Sequence, residues 1–166
     1  ELGKLMGATV IAAGGNLEKL AGCKERGAAH VVNYNDADWK DQVKALTSGN
    51  GADVIYDAVG GDYTETALRC INWGGRLLVV GFASGDIPQL AANLTLLKSS
   101  SIVGVFWGAS LTKEAQANQD NFKQLYQWSM EGKIQPYVCA SYPLDQVADA
   151  MNLLLQRKAI GKVVLT

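Results

Sequence analysis

The sequence predicts an α/β protein with a doubly wound, mostly parallel β-sheet. Short β-branched runs alternate with amphipathic stretches, the runs are apolar throughout, and glycine turns follow several of them. Strands that are apolar on both faces are typical of parallel sheets, which helices cover on both sides. A chain of 166 residues is long enough for one such domain and short for two.

In the first half of the chain, the predicted strands are Thr9–Ala13, His30–Tyr34 and Ala52–Ala58. Between the first two strands, Asn16 is a good N-cap for a helix that Gly27 ends. Between the second and third strands, apolar residues at i, i+4 and i+7 indicate one face of a helix. They are Trp39, Val43 and Leu46.

The second half continues this alternation with longer helices. A helix over Tyr63–Ile71 precedes the strand run GGRLLVVGFASG, and Ser100–Gly108 forms the next strand. A polar helix is expected from Thr112 to Gly132, and KVVL is the last strand. The helix before KVVL has an apolar stripe formed by Leu144, Val147, Ala148, Met151, Leu154 and Leu155.

The composition excludes several classes of function. The net charge of about −1 leaves no basic surface for nucleic acid or an anionic membrane. The apolar runs are too short to span a bilayer, and no basic-then-apolar signal segment opens the chain. Cys23, Cys70 and Cys139 are far apart, which argues against a zinc knuckle or disulfide framework. We expect small buried thiols, no metal and a cytoplasmic protein.

The first strand of the expected sheet is missing. Rossmann-type sheets have the strand order 3-2-1-4-5-6, and Thr9–Ala13 matches strand 2. Strand 1 and its glycine-rich phosphate loop are not in the sequence. We therefore expect residues 1–166 to be a partial dinucleotide-binding domain of a longer protein, without its N-terminal catalytic domain. Two alternatives are open: strands 2 and 4 close the gap, or another chain fills it.

The turn after Thr9–Ala13 bears on the choice of cofactor. In NAD-specific folds an Asp or Glu here binds the ribose hydroxyls, but no carboxylate occurs before Glu18. Its absence permits the 2′-phosphate of NADP, and Lys19 is a candidate countercharge. The alternative is that Lys19 is an ordinary solvated helix lysine. The helix N-terminus at Asn16 adds backbone donors for an anion.

Other candidate residues admit structural explanations. Tyr56 and Asp57 end a strand as a possible acid–base pair, but core packing of Tyr56 and turn bonding by Asp57 explain them better. His30, the one histidine, has no partners nearby that suggest a ligand set or triad. The glycine turns in DAVGG and VGFASG suit a cofactor at the carboxyl edge of the sheet, although tight turns need glycine anyway. Core packing or a contact with a partner at the exposed edge explains Phe106 and Trp107 as readily as cofactor binding does.

Six blocks in order resemble the cofactor domain of the medium-chain dehydrogenase/reductase superfamily, in its zinc-independent NADPH:quinone oxidoreductase branch. The blocks are GATVIAAGG…EKL, GAAHVVNY, GADVIYDAVGG, GGRLLVVGFASG, SIVGVFWG and GKVVLT. The resemblance implies an adenosine 2′-phosphate surrounded by Gly15, Lys19 and Tyr34, with Arg157 a further candidate. It places Val59 near the ribose. It lines the nicotinamide half with Val80, Gly81, Phe82, Ala83, Val105, Phe106 and Trp107.

The resemblance also implies hydride transfer from NADPH to a quinone or α,β-unsaturated carbonyl, and a homodimer formed through the edge strand near residues 100–108. Because the phosphate loop and catalytic domain are missing, we expect this chain alone to bind NADPH weakly and not to turn over substrate. Two alternatives are open: a non-catalytic Rossmann-like binding module, and an enoyl-reductase unit of a larger synthase.

Overall fold

The computed structural model describes residues 1–166 and shows helices alternating with parallel strands, which confirms the predicted fold class. The strands are β1 (Ile11–Gly14), β2 (His30–Asn33), β3 (Ala52–Asp57), β4 (Ile71–Val79), β5 (Ser101–Gly104), β6 (Val138–Tyr142) and β7 (Lys162–Leu165). The helices are α1 (Leu2–Leu5), α2 (Leu17–Glu25), α3 (Trp39–Leu46), α4 (Asp62–Arg69), α5 (Asn93–Leu96), α6 (Trp107–Lys113), α7 (Ala115–Met130) and α8 (Val147–Leu155).

The strands form three separate parallel sheets: β1 with β2, β3–β4–β5 in that order, and β6 with β7. The alternative in which strands 2 and 4 close the gap is wrong, because β1 and β3 are not paired with each other. Ile11 of β1 and Ala52 of β3 nevertheless pack against one buried cluster of Val32, Val43 and Cys70. Side-chain packing therefore holds the first two sheets together where no strand pairing does.

The β3–β4–β5 sheet has one well-covered face. Leu77 of β4 is fully buried beneath α4 and α5, in a cluster with Leu68 and Leu94. Val54 and Tyr56 of β3 are exposed, Tyr56 at 70%. Alternate residues of a strand point to opposite faces, so both lie away from the cluster. The prediction that Tyr56 packs in the core is wrong for this reason.

The predicted polar helix is two helices. The break is at Glu114, which has φ −129° and ψ 42°. The side-chain amide of Asn118, a buried residue of α7, connects the two helices by donating to the carbonyls of Ser110 (2.7 Å) and Glu114 (3.2 Å). The strand predicted to run to Gly108 ends at Gly104, so Trp107 opens α6 instead. Helix α5 and strand β6 were not predicted from the sequence.

The apolar stripe of the last helix is exposed rather than buried. Ala150, on another side of α8, is the helix residue that reaches the core, at 4% exposure. The reason is that α8 packs on β6 and β7, and no other element covers the stripe. The exposed residues are Leu144, Val147, Ala148, Met151, Leu154 and Leu155.

The three cysteines are free and lie in different environments. Only Cys70 is buried, with its thiol 3.2 Å from the carbonyl of Ala67. Cys23 is exposed and Cys139 is half-buried, so the expectation of three buried thiols is wrong for these two. Separately, none of the helices combines the length and apolar character that crossing a bilayer requires.

Candidate functional site

Gly15 and Tyr34 meet where β1 and β2 end. Gly14 and Asn33 are register partners, so the residues that follow them emerge side by side. A Cβ placed on Gly15 would lie 2.7 Å from Cε2 of Tyr34 and 3.0 Å from its hydroxyl oxygen. Only glycine leaves room for the ring there, and the tyrosine hydroxyl is thereby placed beside the start of α2.

The N-terminus of α2 has the predicted cap. Oδ1 of Asn16 accepts from the backbone N–H groups of Glu18 (2.8 Å) and Lys19 (3.2 Å). The N–H groups of Gly15, Asn16 and Leu17 have no acceptor within the chain. Lys19 is half-buried and forms no ion pair. An anion at this point would find free backbone donors and a hydroxyl, and Lys19 adds a positive charge to the first turn of α2.

Two further side chains, Asn35 and Tyr63, contact these residues, and neither was predicted from the sequence. Nδ2 of Asn35 donates to the carbonyl of Gly15 at 3.0 Å. The ring of Tyr63, on α4, lies 4.5 Å from the ring of Tyr34 between centroids, with 49° between the planes. We call Gly15, Lys19, Tyr34 and Asn35 the Gly15 corner. No periodicity or motif signals Tyr63, because its contact joins elements far apart in the chain.

The carboxyl ends of β3, β4 and β5 form a second row. Asp57 is the register partner of Val79, and Val79 is the register partner of Gly104. The following turns are tied together by backbone hydrogen bonds from Ala83 to Ala58 (3.0 Å), Ser84 to Val59 (2.9 Å) and Val105 to Val79 (2.9 Å). The structure thus gathers on one edge the predicted residues Val59, Val80, Gly81, Phe82, Ala83 and Val105.

Asp57 holds the turn after β3 in place. Its Oδ1 accepts from the N–H groups of Val59 (2.9 Å) and Gly60 (3.0 Å), and its Oδ2 accepts from the fully buried Thr64 hydroxyl at 2.5 Å. The prediction that Asp57 bonds turn amides is confirmed. Since Tyr56 lies on the opposite face of the sheet, the two do not form an acid–base pair.

The remaining predicted residues are less tightly placed. Phe106 and Trp107 are 79% and 59% exposed, and the Trp107 ring lies 6.4 Å from that of Phe122 on α7. Arg157 has no hydrogen bond or ion pair to the Gly15 corner. The loop that contains it does reach α2, because Cγ2 of Ile160 lies 3.3 Å from where a Cβ on Gly22 would be.

One groove, lined largely by apolar side chains, lies elsewhere in the molecule. It has a volume of about 370 Å³ and lies between α1, α6 and α7. Trp107 is the one predicted site residue in its wall. The residues of the Gly15 corner and of the ends of β3 and β4 are not part of its wall.

Parallel strands whose glycine turns gather at their carboxyl ends are the architecture of a nucleotide-binding α/β domain. Residues 1–129 match the family described as zinc-binding dehydrogenase. The chain therefore belongs to the medium-chain dehydrogenase/reductase superfamily, in its quinone oxidoreductase-like branch, and is an oxidoreductase cofactor-binding domain. The resemblance seen in the sequence is confirmed.

Among its relatives, a quinone oxidoreductase-like protein 2 homolog of Nematostella vectensis is 44% identical over 97% of this chain and 44% of its own length. A solved NAD-dependent alcohol dehydrogenase is 34% identical with a TM-score of 0.87, over 99% of this chain and 46% of its own. Escherichia coli quinone oxidoreductase complexed with NADPH is 27% identical with a TM-score of 0.86, over 99% and 51%. The chain thus spans about half the length of the relatives it matches.

The residues of this chain do not fit the zinc ion in the family description. No group of three His, Cys, Asp or Glu side chains is placed to hold a metal ion. His30 lies on β2, and the thiol of Cys70 is directed at a helix carbonyl in the core.

Proposed function

We propose that this chain is the cofactor-binding part of an NADPH-dependent oxidoreductase that transfers hydride to a quinone or an α,β-unsaturated carbonyl. The observation that supports NADPH most directly is the Gly15 corner. There the Tyr34 hydroxyl lies against Gly15 beside free backbone N–H groups, and Lys19 follows in the first turn of α2, after a turn without a carboxylate. These groups suit the 2′-phosphate that distinguishes NADPH from NADH.

Two carboxylates lie near the corner in sequence, and neither belongs to the turn itself. Asp36, in the loop after β2, is the nearest acidic residue in sequence to Tyr34, and its carboxylate already accepts from Asn33 at 3.2 Å and lies 3.5 Å from the Gln42 amide. Glu18 is exposed at the start of α2. One solved relative, from Escherichia coli, is complexed with NADPH and another is NAD-dependent, so the test of the proposal compares the binding of both cofactors.

The nicotinamide half is proposed to lie along the second row of strand ends. Val59, Val80 and Gly81 present backbone and small side chains there, and hydrogen-bonded turns fix their positions. The cofactor supplies the hydride when bound. This row offers no side chain poised for proton transfer, since Asp57 is fully engaged in its turn. Its contribution is to orient the nicotinamide.

We also propose that parts of the parent protein outside residues 1–166 complete the cleft. The facing edges of β1 and β3 are free to take a central strand with its phosphate loop. A catalytic domain would form the other wall and select the substrate. The free edge of β5 suits a homodimer, because all its residues are exposed on both faces. The three free cysteines suit a reducing cytoplasm.

The test is replacement of Lys19 by alanine, with Lys24→Ala as the matched control, because Lys24 is an exposed lysine in the last turn of the same helix. Loss of a charge-assisted contact to phosphate costs about 1.5–3 kcal/mol, so Lys19→Ala should weaken NADPH binding roughly 10- to 100-fold. NADH binding should stay unchanged. Titration calorimetry of both cofactors measures the difference.

Equal losses for NADPH and NADH in Lys19→Ala would contradict the 2′-phosphate assignment. Failure of the unaltered parent protein to bind either cofactor would favour a non-catalytic binding module. A parent protein that reduces enoyl thioesters and not quinones would favour the enoyl-reductase alternative.

A further inference from the structure

The first turn of α4 contacts the carboxyl end of the β1–β2 sheet and that of the β3–β4–β5 sheet. Tyr63 packs its ring on Tyr34, which follows β2, with 4.5 Å between centroids. The next residue, Thr64, donates its hydroxyl to Asp57 at the end of β3. Because β1 and β3 are not paired, these two consecutive side chains form a direct link between the Gly15 corner and the second row.

Tyr34 is therefore fixed from two sides. Gly15 leaves space for one edge of its ring, and Tyr63 covers another part of it. Tilted aromatic pairs at this separation are favourable beyond their burial. The Tyr63 hydroxyl lies 3.5 Å from Oδ1 of Asn35, which is too long for a strong hydrogen bond. The ring of Tyr63, and not its hydroxyl, accordingly makes the main contact.

We propose that Tyr63 is a positioning residue for cofactor selectivity: its ring holds Tyr34 against Gly15, so that the Tyr34 hydroxyl faces the 2′-phosphate. This inference rests on the proposed function and adds to it a residue outside the phosphate contacts. Without the Tyr63 ring, Tyr34 would gain rotamer freedom, and ordering it on binding would lower affinity for the phosphorylated cofactor alone.

The experiment compares Tyr63→Ala with Tyr63→Phe in the complete protein, with Tyr126→Ala as control because Tyr126 is an exposed tyrosine on α7. Titration calorimetry measures the dissociation constants of NADPH and NADH. Tyr63→Ala should lower the preference for NADPH roughly two- to tenfold, with NADH affinity unchanged. Tyr63→Phe should restore the preference, and Tyr126→Ala should not alter it.

The outcomes separate this inference from the proposed function. If Lys19→Ala weakens NADPH selectively but Tyr63→Ala does not, the positioning role is wrong and the phosphate site stands. A loss of both cofactors together in Tyr63→Ala, or no recovery in Tyr63→Phe, also overturns the positioning role. If Lys19→Ala has no selective effect, the 2′-phosphate assignment in the proposed function fails, and the positioning role fails with it. Should Tyr63→Ala not fold, Tyr63→Leu replaces it in the same comparison, since it keeps apolar volume without a ring.

Discussion

The Gly15 corner and the edge formed by β5 and residues 105–107 are both at carboxyl ends of parallel strands, yet they differ in packing. In the corner, Tyr34 is enclosed by Gly15 and Tyr63, and Asn35 ties two segments together. Along β5 every residue is exposed, and Phe106 is 79% exposed. The first region is built from contacts within the chain, and the second lacks covering elements.

The difference in packing suits two different tasks, cofactor recognition at the Gly15 corner and positioning of the nicotinamide at the β5 edge. A selectivity site works when its donors are held in place before the ligand arrives, which the corner achieves with its own residues. Positioning a nicotinamide beside a substrate needs two walls, and under the proposed function the β5 edge would supply part of one. Under the same proposal the Gly15 corner would select the cofactor.

The largest effect on stability is expected from Asp57→Ala. Asp57 ties the first turn of α4 to the end of β3, and so supports the region that is built from contacts within the chain. The change leaves two turn amides and the buried Thr64 hydroxyl without their acceptor. It should lower the free energy of unfolding by about 3 kcal/mol. Asp57→Asn keeps an oxygen for the amides and should recover most of the loss. Urea denaturation measures both, and a loss below about 1 kcal/mol for Asp57→Ala would contradict this account.

A smaller effect is expected at Cys70, in the cluster that packs against both β1 and β3. Burial raises the pKa of the Cys70 thiol from 9.0 to about 11. Between these values the unfolded chain loses the thiol proton and the folded chain keeps it, so stability falls as pH rises. The loss should be on the order of 2 kcal/mol between about pH 9 and pH 11.

Comparison with Cys70→Ala isolates this contribution, because lysines and tyrosines also titrate in that range. The alanine variant should lose less stability than the unaltered protein between pH 9 and pH 11. Cys23→Ala is the control, since Cys23 is exposed and should leave the pH dependence intact. If the free energy of unfolding depends on pH in the same way in all three proteins, the packing around Cys70 does not exclude water.

The smallest effect on folding is expected at the β5 edge. Ile102 is 40% exposed, so Ile102→Lys should change the unfolding free energy by less than about 1 kcal/mol. If β5 forms the proposed homodimer, the same change should convert dimers to monomers in sedimentation velocity runs. Met130→Lys, at an exposed position on α7, is the matched control. A dimer that survives Ile102→Lys would exclude pairing through this strand.

Local patterns predicted much of the fold. The strands from His30 and Ala52 begin where the sequence places them, and Asn16 caps α2 as expected. Errors arose where burial depends on distant elements. Tyr56 and the α8 stripe are apolar enough for a core, but nothing in this chain packs over them. The break at Glu114 was missed because side-chain bonds from Asn118 stabilise it.

The alternating apolar runs, helix caps and glycine turns of the sequence were enough to predict the fold class, because they follow from local backbone and side-chain preferences. The sequence also named Gly15, Lys19 and Tyr34 as a group, from the resemblance and from a turn without a carboxylate. Only the tertiary structure brought Tyr63 onto Tyr34 and engaged Asp57 with Thr64. These contacts depend on how α4 packs against the sheets, and local sequence patterns do not predict which distant residues come together.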